Sequence, residues 1–106
     1  MNTIQNDKGH KCVNRTFAGE IDLGYDLFHY LNYNVATNIA VTLKHNPVIG
    51  GSAEIRMVAD GVHTPVFDAA FTKSSGSADY DTTLATQNKV VFYYDGYQAF
   101  YSITVL

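Results

Sequence analysis

NKVVFYYDGYQAFYSITVL, residues 88–106, is the stretch that decides the fold. Two hydrophobic runs flank Asp95-Gly96, and an Asp-Gly pair supplies the positive φ that a tight hairpin turn demands. A two-residue loop pairs Tyr94 with Tyr97, Phe92 with Ala99 and Val90 with Tyr101. The opposite face then carries Tyr93 with Gln98 and Val91 with Phe100. Both faces are largely apolar or aromatic, whereas a hairpin on the outside of a monomer keeps one polar face. This ribbon is therefore expected to be central. One face belongs to its own core, and the other meets a second sheet or another subunit.

Residues 52–67, SAEIRMVADGVHTPVF, repeat the design. Ala53, Ile55, Met57 and Ala59 alternate with Glu54, Arg56 and Val58, which is the period of a strand with one buried face. Asp60-Gly61 predicts a second hairpin pairing Ala59 with Val62, Met57 with Thr64 and Ile55 with Val66. Pro65 cannot donate to a ladder, so its strand belongs at an edge. Between the hairpins, residues 72–88 form a polar loop of the length usually tied to function or mobility. Upstream, Ile39, Val41 and Leu43 alternate along a strand, Asn46-Pro47 turns the chain, and Gly50-Gly51 bends it again. Short strands are expected near 17–23 and 26–33, with a helical turn at 25–31 as their competitor.

These patterns predict an all-β domain, an antiparallel β-sandwich or jelly roll of about seven or eight strands. It spans residues 17–106. Residues 1–16 are polar and predict an N-terminal arm that orders against a partner.

Composition narrows the function. The chain has 106 residues, 46% hydrophobic and 16% charged, with a net charge of −3. A charged share below the usual value of about 25% favours surface covered by protein. No basic block could follow a phosphate backbone, which disfavours nucleic acid. No apolar run approaches the length of about 20 residues needed to cross a bilayer, and the first residues lack the apolar core of a signal peptide. Cys12 is the single cysteine, so no internal disulfide framework exists.

Chemistry is sparse. His10, His29, His45 and His63 show no metal-ligand spacing, and no GxSxG nucleophile elbow occurs. Asp60 and Asp95 sit where turns want Asp. Asp79 and Asp81 could hold Ca²⁺ or cap a loop. No cofactor and no enzymatic activity are expected. The positive signal is the aromatic set Tyr93, Tyr97, Phe100 and Tyr101, which suits a sugar-stacking platform, a subunit interface or core packing.

The stretch from about residue 22 to 106 resembles the β-rich domain of tailed-phage fibre and minor structural proteins. The resemblance lies in "VTL", then "AEIRMVADG", "TPVF", a Ser/Gly-rich loop and the closing "NKVVFYYDGYQAFYSITVL". It implies a virion component, often trimeric, exposed at its C-terminal domain and docked on capsid or tail proteins through its N-terminal portion. On that reading Lys8, His10, Lys11 and Arg15 would contribute the anchor. A capsid decoration protein, head fibre or fibre tip suits the length. The alternative is a carbohydrate-binding module that takes a surface glycan through the Tyr-rich hairpin or the 72–88 loop.

Overall fold

A computed structural model describes residues 11–106. Among them are ten strands: β1 (Cys12–Arg15), β2 (Glu20–Ile21), β3 (Leu27–Tyr30), β4 (Tyr33–Asn34), β5 (Ala40–Leu43), β6 (Ser52–Val58), β7 (Val66–Phe67), β8 (Phe71–Lys73), β9 (Gln87–Tyr94) and β10 (Ala99–Val105). The described residues contain no helix, so the 25–31 stretch holds strand β3 (Leu27–Tyr30) behind a bend and not a helical turn. The all-β class is as expected from the period-two patterning.

Two sheets form the sandwich. The large one runs β1-β3-β6-β9-β10-β8, with β4 also on β6, and the small one runs β2-β5-β7. Pairing is mixed. Only β6 with β9 and β9 with β10 are antiparallel, and the other described pairings are parallel. Parallel neighbours need a crossover, and here the crossover is a strand of the opposite sheet. The chain passes from β1 to β2 and back to β3, then through β5 to β6 and through β7 to β8. β9 and β10 occupy the two positions between β6 and β8.

The 52–67 segment is the clearest departure from expectation. It is not a hairpin. Ala59 gives its N–H to Thr86 O and accepts from Ala85 N, both at 2.9 Å, so it cannot pair with Val62. The Asp60 carboxylate instead takes the N–H groups of Val62 and His63 at 3.0 and 2.8 Å. That turn sends the chain across to the small sheet, where Val66 donates to Ile39 O at 2.8 Å. The antiparallel partner of β6 is β9, with Ile55 opposite Val90 and Ala53 opposite Phe92.

The 88–106 hairpin exists, with its register moved by two residues. Tyr94 faces Ala99, Phe92 faces Tyr101 and Val90 faces Ile103. Asp95 stands opposite Gln98, donating to its carbonyl at 3.2 Å. Gly96, at φ +102°, takes the tight position. Because the shift is even, every side chain keeps its predicted face.

The core lies between the sheets. Ile21, Leu23 and Val41 meet Ile55, Met57, Val90 and Phe92, all within a percent or so of full burial. Full burial of one such side chain is worth about 1.5–3 kcal/mol. Phe67 of β7 stacks on Tyr101 at 4.0 Å and touches Phe92 at 6.2 Å between ring centres. This contact fixes which face of the large sheet the small sheet covers. Phe17 closes the other end, edge-on to Tyr33 at 5.0 Å. Gly51 allows the backbone to pass close by: a Cβ there would lie 2.3 Å from Leu23 O.

The predicted arm needs redrawing. Residues 12–15 are strand β1, pairing in parallel with β3 so that Val13 faces Phe28. Residues 1–10 lie outside the described residues.

Candidate functional site

With the small sheet on the Phe92 and Tyr101 side, register defines what the other face of the large sheet presents. One row runs Cys12, Leu27, Ser52, Tyr93, Phe100 and Thr72 across the strands. The next runs Asn14, His29, Glu54, Val91 and Ser102. Arg56, Lys89 and Thr104 form a third. The face therefore grades from aromatic to basic over three rows.

Of the two covers expected for the second face of the 88–106 ribbon, a second sheet or another subunit, the chain's own second sheet is not the one. Val90, Phe92, Ala99 and Ile103 are buried on one face, while Tyr93 is 46% and Val91 38% exposed on the other. The second sheet is three short strands and covers only the first face.

The four aromatics named from sequence separate into three places. Tyr101 is on the core side, half-buried and stacked on Phe67, the core packing that was one of its three expected roles. Tyr93 and Phe100 are cross-strand neighbours on the outer face. Tyr97 stands at the turn, 95% exposed. Sequence reasoning grouped them because a hairpin brings all four near in space, but alternation sends Tyr101 the other way.

Two hollows open beside β3, and none of these four aromatics lines either of them. The first, about 100 Å³, is lined by Leu27, His29, Ser52, Glu54 and Val91 on the outer face. The second, about 60 Å³, lies at the end of the sandwich among Tyr25, Leu27, Val48 and Ile49. Leu27 borders both. Ile49, 74% exposed, lies over the hairpin turn, its Cγ1 3.1 Å from where a Gly96 Cβ would be. Tyr25, Val48, Ile49 and Tyr97 thus make an apolar tip that sequence reading missed, since these residues come from three separate turns.

Of the proposed anchor residues, Lys8 and His10 lie outside the described residues. Arg15 is engaged within the domain: its guanidinium lies 3.1 Å from Asp22 and 4.2 Å above the Phe28 ring. Lys44 approaches the same carboxylate at 3.4 Å. The Lys11 amide donates to Asp26 at 3.2 Å.

The 72–88 region is a tether more than an open loop. Ser74 and Ala78 donate to Tyr101 O and Ile103 O at 2.8 and 3.0 Å, and Ile103 donates to Ser77 Oγ at 2.8 Å. Lys73 pairs with Asp79. The segment covers the β10 edge beyond β8, which protects it from stray pairing. Its far end is clamped by Asn88, the buried polar residue of the described core. The Asn88 amide accepts from Asp81 N at 2.9 Å and donates to Asp81 O at 3.0 Å.

Turn carboxylates dominate the electrostatics. Asp60 is pulled down to about 2, first by the His63 ring, whose Nδ1 lies 2.5 Å from Oδ2, and then by the two backbone N–H groups. Asp95 is lowered by the N–H groups of Tyr97 and Gln98. Asp79 is lowered by Lys73 and Asp81 by Thr83. The Tyr80 hydroxyl is buried without a partner among the described residues. Burial, then the Asp60 and Asp81 charges, push it up to about 12.

The sign of the pH dependence follows. A carboxyl group whose folded pKa lies below its unfolded value, near 3.9, contributes stability in full above that value and loses it as pH falls through the folded pKa. Thermal melts followed by circular dichroism are expected to show the midpoint dropping between about pH 4 and pH 2. Asp60→Asn should make that drop smaller. A midpoint insensitive to acid over this range would contradict the assigned hydrogen bonds.

Among the described residues no group of His, Cys, Asp or Glu side chains converges as a metal site would. No helix there is long and apolar enough to cross a membrane. Comparison with protein-family models, curated proteins and solved structures finds no match to this chain.

Proposed function

We propose that the chain is a non-enzymatic structural component of a phage particle, as capsid decoration, head fibre or fibre tip. It assembles as a homo-oligomer, a trimer in the fibre setting, and stays exposed on the virion surface. The observation that carries the assembly reading is the apolar tip of Tyr25, Val48, Ile49 and Tyr97. Exposed apolar patches mark interaction sites. The Asp95 carboxylate beside the tip is already occupied by two backbone N–H groups at 2.8 Å. The low charged fraction supports the same reading. The particle assignment rests on the resemblance of the 22–106 stretch to fibre-type β-domains.

Light scattering coupled to gel filtration tests the proposal. The wild-type chain should run as an oligomer at micromolar concentration. Tyr97→Lys should weaken association by about 2 kcal/mol, roughly 30-fold, as for an aromatic anchor, with an unchanged circular dichroism spectrum. A wild-type chain that stays monomeric overturns the assembly reading.

A further inference from the structure

The large sheet ends in β1 on one side and β8 on the other, and no strand among the described residues pairs with either outer edge. Alternation fixes which backbone groups each edge presents. Leu27 donates to Lys11 O and Leu31 to Arg15 O, so Lys11, Val13 and Arg15 turn toward β3, and the N–H and C=O of Cys12 and Asn14 turn away. Ser74 donates to Tyr101 O, so Thr72 turns toward β10, while the Phe71 C=O and both groups of Lys73 turn away. The two edges run in the same direction, because the antiparallel steps between them, β6 to β9 and β9 to β10, cancel. We propose that β8 of one copy lies parallel to β1 of the next, and that repeating this contact closes a ring of copies of this chain.

The edges match group by group. In a parallel ladder one residue bonds to two alternate residues of its neighbour. Setting Lys73 opposite Val13 of the next copy lets Lys73 N–H donate to Cys12 O and Asn14 N–H donate to Lys73 O. Cys12 N–H then donates to Phe71 O. The Phe71 N–H lies outside this ladder and is already held by Asp68 O at 2.9 Å. The same register sets Thr72 beside Cys12 of the next copy, so the outer row that runs from Cys12 to Thr72 continues unbroken into it.

Charge and direction select this contact. Lys11 and Arg15 bracket β1, and the exposed Asp68 and Asp79 flank β8, so a basic edge meets an acidic one. Pairing β1 with itself across a two-fold axis is antiparallel. The register that uses both Cys12 and Asn14 then centres on Val13 and sets Lys11 opposite Arg15, and like charges directly opposite destabilise. Rotation about an axis along the strands keeps every strand pointing the same way, as a heterologous contact that closes requires. The inference rests on the assembly reading above and adds to the tip a second contact, on a different surface.

Two variants of the full chain test it. Asn14→Pro removes an N–H that faces away from β3, so its own sheet is kept. Sedimentation velocity should show association weakened about ten-fold, the scale of one lost hydrogen bond, with a wild-type circular dichroism spectrum. Thr72→Cys places a thiol opposite Cys12 of the next copy. Within one chain the two lie five strand spacings apart, about 24 Å, too far to bridge. Oxidised glutathione should join them between copies, each disulfide releasing two reduced glutathiones. A non-reducing gel should show a ladder that passes the dimer and stops at one largest species, whereas wild type, with Cys12 alone, stops at the dimer. A ladder without an end overturns the ring, and a variant that stops at the dimer overturns the contact. If Tyr97→Lys dissociates and Asn14→Pro does not, this inference falls and the tip stands; the reverse result removes the tip and keeps the edge. A monomeric wild type overturns both.

Discussion

Phe92→Ala is expected to remove about 3–5 kcal/mol of folding stability, the usual cost of deleting a buried phenyl ring. Phe92 has no exposed surface and is touched from both layers. Phe67 reaches it from the small sheet, with ring centres 6.2 Å apart, and Phe71 from the large sheet at 5.2 Å. Its loss leaves a cavity where the sheets meet, and neighbours held in opposing strands collapse into it only partly. Natural domains hold only about 5–15 kcal/mol in all, so the variant should sit near the edge of folding. Equilibrium denaturation in urea measures it. Phe92→Leu should recover more than half of the loss, because it refills most of the volume. A loss under about 1 kcal/mol for the alanine variant would mean that the two sheets do not close on this residue.

The second large effect comes from a residue that no hydrophobic pattern reveals. Asn88→Ala is expected to cost about 3 kcal/mol. The side chain is fully buried and satisfies both the N–H and the C=O of Asp81. Truncation leaves a donor and an acceptor without partners, each worth about 1–3 kcal/mol when desolvated. Asn88→Leu separates packing from hydrogen bonding: it restores volume and should remain destabilised. Hydrogen exchange supplies a second reading. The Asp81 amide should lose protection in both variants, while amides in the β6–β9 ladder keep theirs relative to global stability. If Asn88→Leu matches wild type, the clamp contributes nothing.

The candidate surfaces depend on the fold in unequal ways. The faces of β9 and β10 were legible because alternation along a strand is a local property, and an even change of register leaves it intact. The outer position of Tyr93 and Phe100, and the inner position of Phe92, therefore follow from sequence. The separation of Tyr101 from that group was also implicit in the alternation, since it shares the face of Phe92. The apolar tip was not legible. Ile49 reaches the Gly96 turn only because Gly50 and Tyr94, and Gly51 and Tyr94, are joined by backbone hydrogen bonds at 2.8 and 3.0 Å. The hollow was not legible either, because its lining comes from β3, β6 and β9.

Asp60 shows the limit most clearly. An Asp-Gly pair between alternating runs signals a change of direction, and the chain does change direction there. The two-residue hairpin and the crossing to another sheet share this signal, because Asp carboxylates cap backbone N–H groups in both. What separates them is whether β6 finds a better partner than the strand that follows. β9 supplies one, with Val90 and Phe92 set against Ile55 and Ala53.

By itself, then, the amino-acid order determined that the chain forms strands, which side of each strand is apolar, and where most turns fall. These follow from backbone sterics and from the two-residue period of side chains, which act over a few positions. Which strands are neighbours, that most of them run parallel, and which aromatics come together on the surface were decided only by tertiary structure. Those choices turn on burying the largest apolar area between two sheets while pairing every buried backbone group, a condition on the whole chain that no local stretch contains.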